Sequence, residues 1–257
     1  MRSIDLSGKV ALVLGVANKR SLAWAIADAL GEAGCSLALT YQGERLQKNV
    51  LELAQKYPDA PVMTCDVESE EQVEGVFARI EKDYGRLDVL VHSIAFARRE
   101  DLAGEFLKTS RQGWRIAMEI SAYSFIRLTS LAVPLMKAGG SVMALTYVAS
   151  QRVVPNYNVM GSAKAALEHA VRQLASELGP SNIRVNAISA GPIPTLSARG
   201  ISGFSGMATH HRKLAPLRRN IEPREVGDAG LFLASDLASG ITGEILYVDG
   251  GFNIMAI

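Results

Sequence analysis

The chain has 257 residues, 48% hydrophobic and 21% charged, a globular composition that excludes disordered and fibrous classes and fits a single domain, 1–257. Its 27 basic and 26 acidic residues leave a net charge of +1, which argues against a nucleic-acid binder working through a basic face. Cys35 and Cys65 are the only cysteines and frame no disulfide scaffold, so a reducing compartment fits. The start, Met1-Arg2-Ser3-Ile4-Asp5-Leu6, lacks a signal-peptide pattern. The longest apolar run, Val10 to Ala17, is far shorter than the ~20 residues that span a bilayer. A soluble cytoplasmic protein, with no membrane and no nucleic acid as partner, is expected.

Taken in chain order, short apolar runs alternate with segments of helical period. The runs are Val10 to Leu14, Ser36 to Tyr41, Pro61 to Cys65, Leu87 to His92, Ser141 to Tyr147, Ile183 to Ile188 and Ile245 to Val248. The helical segments are Ser21 to Ala33, Glu44 to Lys56, Glu70 to Tyr84, Gly113 to Lys137, Tyr157 to Leu178 and Glu225 to Leu233. Unbroken apolar strands are buried on both faces, as in parallel sheets covered by helices. The rhythm predicts an α/β fold: a doubly wound, Rossmann-type parallel sheet of about seven strands with helices on both faces.

Such sheets bind ligands beyond the carboxyl ends of their strands. The first run ends at Gly15, and Ser21 stands where a helix N-cap belongs. The three-glycine dinucleotide fingerprint is absent. A helix start still offers free N–H groups and about half a positive charge, which suits a pyrophosphate. An ordinary strand–helix turn is the plain alternative, and its place as the first such turn of the chain favours the phosphate reading. Gln42 follows the second run where an adenosine ribose would sit; it is neutral, Glu44 would repel a 2′-phosphate and Arg45 would attract one. The balance leans to NADH over NADPH. After the third run, Asp66-Val67 either flanks adenine or caps the next helix.

The fifth run ends at Tyr147, and Tyr157 opens a long helix whose apolar stripe includes Met160, Leu167, Val171, Leu174 and Leu178. Lys164 falls on the same stripe two turns after Tyr157. A lysine there either snorkels to solvent or takes a buried partner. In the second case Lys164 binds ribose hydroxyls and lowers the Tyr157 pKa, and Tyr157 gives a hydrogen bond or proton to an oxygen gaining charge.

Gly15 with Ser21-Leu22-Ala23, Asp66-Val67, His92-Ser93-Ile94-Ala95-Phe96, Tyr157 to Gly161 with Lys164, Arg184 to Ile193, and Val248-Asp249-Gly250-Gly251 together resemble the short-chain dehydrogenase/reductase superfamily. They look most like its bacterial enoyl-acyl-carrier-protein reductases, over nearly the whole chain. The six residues between Tyr157 and Lys164 are the specific mark, since the superfamily at large keeps three, which would put lysine at Gly161. Pro194 and Ala95 depart from the family, where arginine and glycine are common.

The resemblance implies an oxidoreductase of fatty acid synthesis. Hydride would pass from NADH to the β-carbon of a trans-2-enoyl thioester carried by an acidic acyl carrier protein, with Tyr157 stabilising the enolate. It implies cofactor contacts at Gly15, Ser21, Leu22, Gln42, Asp66, Val67, Ile94, Lys164, Ile193, Pro194, Thr195, Leu196 and Ser197. It implies substrate contacts at Ala97, Tyr147 and Tyr157, with Tyr147 a second tyrosine near the acyl group. A carbonyl reductase of the same superfamily and a non-catalytic NAD(H)-binding module are the competing readings.

Pro194 to Arg219 breaks the rhythm. Glycines beside Ile201, Phe204 and Met207 suit a lid over 194–219 that closes on a fatty chain, with a helical hairpin packed on the sheet as the alternative. Its Arg199, Arg212, Lys213, Arg218 and Arg219, without one acid, form a basic edge that would steer the carrier. His92, His169, His210 and His211 lack metal spacing, and no metal is expected. The two longest helices carry more apolar residues than one sheet face needs. With the tail Ile254-Met255-Ala256-Ile257 they point to a homo-oligomer, and the resemblance implies a homotetramer.

Overall fold

The computed structural model describes residues 4–255. Met1 to Ser3 and Ala256-Ile257, with the side chains of Ser197 and Arg199, lie outside the described residues. The described strands form one parallel sheet: β1 Val10–Leu14, β2 Ser36–Tyr41, β3 Val62–Thr64, β4 Val89–His92, β5 Gly140–Thr146, β6 Ile183–Ala190 and β7 Ile245–Val248. Their order is β3-β2-β1-β4-β5-β6-β7, so the chain reverses direction across the sheet between β1 and β4. That reversal opens a crevice at the carboxyl ends of these two strands.

The helices are α1 Leu22–Glu32, α2 Glu44–Ala54, α3 Glu70–Tyr84, α4 Arg99–Leu102, α5 Arg111–Met118, α6 Ser124–Ala132, α7 Asn158–Leu178, α8 Phe204–Leu214 and α9 Pro223–Ala234. They cover the sheet on both sides. Along β1, Val10, Leu12 and Leu14 point into a core shared with α3, α6 and α7, while Ala11 and Val13 point into one shared with α1, α2 and α9. β6 divides in the same way, Val185 and Ala187 against Ile188 and Ala190. Successive side chains of a strand face opposite ways, so a strand covered on both sides must be apolar throughout.

Some expected boundaries change. The segment read as one helix, Gly113 to Lys137, starts at Arg111 and is interrupted by a π-turn over Glu119–Tyr123 before α6 and a short 3-10 turn. This composite run, Arg111–Leu135, is by length and composition alone apolar enough to cross a membrane, but half of its most apolar stretch is buried in the protein. The last helix starts two residues before Glu225, because Pro223 takes its first position and Glu222 and Glu225 close a reciprocal capping box. The fourth to sixth runs keep their core, with Tyr147 just beyond β5. Cys35 and Cys65 are buried beside β2 and β3, and burial pushes both thiols up to about 12.

Candidate active site

The candidate residues gather along the carboxyl edge of the sheet. Gly15 follows β1 with a φ of +88°, and a Cβ there would lie 2.2 Å from the Ser93 carbonyl oxygen. Only glycine lets the β1 turn approach the segment after β4 so closely, at the strand ends where the sheet order reverses. Ser21 does occupy the N-cap position of α1, yet its hydroxyl donates to the Asn18 carbonyl at 2.7 Å and makes no cap bond. The first N–H groups of α1, from Leu22 on, are therefore left for another acceptor. The turn residues Asn18 and Ser21 shape that opening, and no acidic side chain stands in the first turn.

Gln42 and Asp66 meet across the ends of β2 and β3, with Gln42 Nε2 donating to Asp66 Oδ2 at 3.3 Å. The cap of α3 is Ser69, whose hydroxyl accepts from the Gln72 N–H. Asp66 is thus not the helix cap, and Val67 beside it packs on the core. Ile94 and Ala97 follow β4 at half-buried positions. Their loop is clamped by Ser121 of the π-turn, whose hydroxyl accepts from the Phe96 N–H at 3.0 Å and donates to the Phe96 carbonyl at 3.1 Å. Beyond β6, Ile193 is buried, Pro194 and Leu196 are exposed, and Thr195 accepts from the Ala198 N–H. Ser197 lies in this turn, its side chain outside the described residues.

Tyr157 flanks the start of α7, and its carbonyl accepts the first helical bond from Gly161. Its ring packs edge-on against Tyr147, centroids 5.1 Å apart at 62°. Tyr147 turns its hydroxyl to the Met207 sulfur of α8 at 3.3 Å, whereas the Tyr157 hydroxyl has no hydrogen-bond partner among the described residues. Gly161 could not give way to a larger residue without strain, since a Cβ would meet the Ala149 carbonyl oxygen at 2.9 Å. The side chain that matters is displaced one turn on, to Lys164, which is 5% exposed. Its Nζ donates to the Leu145 carbonyl at 2.7 Å, so it does not snorkel to solvent.

The electrostatics correct one expectation. The Tyr157 pKa is not lowered: burial first, and the neighbouring Tyr147 second, push it up, while Lys164 spends a hydrogen bond on Leu145. Tyr147 is pushed up to about 12, again mainly by burial. Burial draws Lys164 down to about 8, against the opposing pull of the Glu168 charge. Tyr157 consequently remains a phenol and a donor across the neutral range. Residues 194–219 contain ordered turns and a helix. They hold a 3-10 turn at Ser197–Gly200 and α8, which buries His211 against Phe252, stacked at 4.6 Å, with Asn220 Oδ1 3.2 Å from its Nδ1. Asn156, in the left-handed region at φ 61°, donates to the Ser202 carbonyl and ties the approach to Tyr157 to this segment. The basic edge is smaller than its composition implied, because Arg219 makes a two-point ion pair with Glu225 and Arg218 turns to the Lys213 carbonyl.

A family model described as enoyl-(acyl carrier protein) reductase matches residues 15–253. The chain belongs to this reductase family. The enoyl-acyl-carrier-protein reductase (NADH) FabI of Nostoc sp. is 50% identical over 257 residues, covering 99% of this chain and 100% of that protein. The Bacillus subtilis reductase of the same name is 50% identical over 256 residues, covering 99% of each. The solved structure of the Bacillus cereus reductase with NADP+ and indole naphthyridinone superposes with a TM-score of 0.96 at 48% identity, over 98% of this chain and 99% of that one. Sequence reading missed Ser121, Thr146 and Glu168, whose bonds join segments far apart in the chain.

Proposed function

We propose that this chain is an enoyl-acyl-carrier-protein reductase that uses NADH to reduce a trans-2-enoyl thioester. The observation that supports the proposal is the edge-on packing of Tyr147 against Tyr157, which opens the helix that buries Lys164. The residues fit a dinucleotide. The Gly15 turn leaves no room for a side chain, and the α1 N–H groups would receive the pyrophosphate. Gln42 and Asp66, already joined, would face the adenosine end, and Ile94, Val67 and Ile193 to Ser197 would line its length. Bound NADH supplies the hydride. Lys164 holds the nicotinamide ribose, and Tyr157 donates its hydroxyl to the thioester oxygen as negative charge builds there. Tyr147 and Ala97 flank the acyl group.

Neutral Gln42 and the carboxylate of Glu44 favour NADH, the form in the names of the Nostoc and B. subtilis relatives, while the B. cereus structure holds NADP+. Residues 194–219 serve as a lid within a single catalytic domain, 1–257. The reach of Met207 to Tyr147 supports that role. The acidic acyl carrier docks at its edge through the exposed Arg212 and Lys213. The enzyme works in the cytoplasm as a homotetramer whose contacts use the exposed Trp114, Tyr123 and Ile126 of the Arg111–Leu135 run. Consumption of NADH with crotonyl thioester but not acetoacetyl thioester is expected. Turnover of the ketone would favour a carbonyl reductase, and binding without turnover a sensing module. Light scattering should give about four times the 27.6 kDa of one chain.

A further inference from the structure

Behind the candidate site lie two buried side chains with no part in the chemistry above. Glu168 stands on α7 one turn beyond Lys164 and is 2% exposed. Thr146, the last residue of β5, donates its hydroxyl to Glu168 Oε1 at 2.8 Å. Among the described residues no cation lies within ion-pair distance of Glu168. A buried carboxylate answered by one neutral hydroxyl is unfavourable unless a positive charge offsets it.

Residues four apart on a helix are neighbours, and the side chain one turn back is Lys164, equally buried. The other titratable groups around the pair do not supply a buried cation. His92 on β4 is held neutral by burial. Tyr157 precedes the helix, Tyr147 follows β5, and β7 brings Tyr247 with Asp249 after it, all neutral or acidic. Arg152 reaches past β5 to the carbonyls of Asn253 and Met255. β6 offers buried Asn186 and Ser189, while α5 and the π-turn keep Arg115 and Glu119 at exposed positions. Opposite charges in a layer shielded from water act on each other strongly without touching.

We propose that Glu168, held in place by Thr146, is a positioning residue for the reduction: its buried negative charge keeps Lys164 an ammonium fixed against the Leu145 carbonyl. The proposal rests on the reading of Lys164 as the group that holds the cofactor ribose. The lysine sits in surroundings that favour its neutral form, and Glu168 supplies the counterweight. Thr146 fixes the position of the carboxylate by donating to it.

The test is NADH affinity measured by fluorescence titration from pH 6 to 10, on the intact enzyme without substrate. In wild type the affinity should fall on the alkaline side as Lys164 loses its proton. Glu168→Gln should move that midpoint down by about one pH unit, tenfold in proton affinity, with the affinity below it near wild type. Thr146→Val should move it the same way by less, and Glu168→Asp should restore most of it. A folded Glu168→Gln protein with an unmoved midpoint overturns the proposal, as does an equal loss of affinity at every pH. Should Glu168→Gln not fold, an unmoved midpoint in Thr146→Val overturns it. Lys164→Met separates the two readings. An alkaline limb that survives in it removes Lys164 from the ribose. A limb lost in it but unmoved in Glu168→Gln refutes the role of Glu168 alone.

Discussion

Tyr157 and Tyr147 are the same kind of side chain 5.1 Å apart, yet their surroundings divide the work between them. The Tyr147 hydroxyl is engaged with Met207, and the Tyr157 hydroxyl makes no hydrogen bond among the described residues. Both are held protonated by burial, so neither acts by becoming a phenolate at neutral pH. An oxyanion needs a donor, and a phenol with a raised pKa is one. Tyr157→Phe should therefore lower kcat by about 10²–10³, the usual size for losing one such donor, with little change in NADH affinity. Tyr147→Phe removes only a weak bond to sulfur, and its kcat should stay within about tenfold of wild type, with the larger effect on KM for long acyl chains. Steady-state rates for the two single variants decide it. A larger loss at Tyr147 would exchange the roles.

Among the elements, the π-turn at Glu119–Tyr123 does the most for the site. It inserts an extra residue into the α5–α6 run and so aims two serines at the end of β4. Ser121 clamps both backbone groups of Phe96, and Ser124 meets His92 Nε2 at 2.8 Å while donating to the Ile120 carbonyl. Ser121→Ala leaves a half-buried N–H and carbonyl without partners and should destabilise the fold by about 1–3 kcal/mol. It should also raise KM for the enoyl substrate, because Ala97 is next along the freed loop. Denaturant unfolding and steady-state kinetics together measure this, and a stability loss with KM unchanged would confine Ser121 to folding. The same element marks where reading from sequence stops. The strands were legible because two buried faces leave an unbroken apolar run, as in Val10 to Leu14. Tyr157 and Lys164 were legible because a lysine is conspicuous inside an apolar stripe. The π-turn was not, since one added residue leaves the apolar count of the run unchanged. Nor was the Thr146–Glu168 bond, which joins a strand to a helix 22 residues away and leaves no periodic trace. Within 194–219 the sequence left a loop-like lid and a helical hairpin both open, because α8 exposes most of its length and buries chiefly His211, so it carries little apolar stripe.

For the molecule as a whole, the centre of the sheet makes stability depend on acid. His92 sits in β4 at 0% exposure, and burial first, then the Lys164 charge, hold its pKa down to about 3. Since Ser124 gives its only hydrogen to Ile120, His92 Nε2 is the donor to Ser124, and Nδ1 is left bare and buried. In the unfolded chain the imidazole titrates near 6.5. Between these values the unfolded state binds a proton that the native state refuses. The stability His92 confers is therefore complete above about pH 6.5 and is lost steadily as pH falls toward 3. His211, also drawn down by burial, adds to the slope in the same direction. Glu225, lowered to about 2 by Arg219, starts to lose its contribution only as pH enters the ordinary carboxylate range, so measurements from pH 7 to 5.5 read chiefly the histidines. Tm should hold between pH 7.5 and 7 and decline progressively below it. His92→Gln should start from a lower Tm at pH 7.5, because its packing against Phe125 is lost, but decline less steeply on acidification. Thermal unfolding in matched buffers reads both quantities. Equal slopes in the two proteins would move the acid sensitivity away from β4 and onto His211, where His211→Gln should then flatten it.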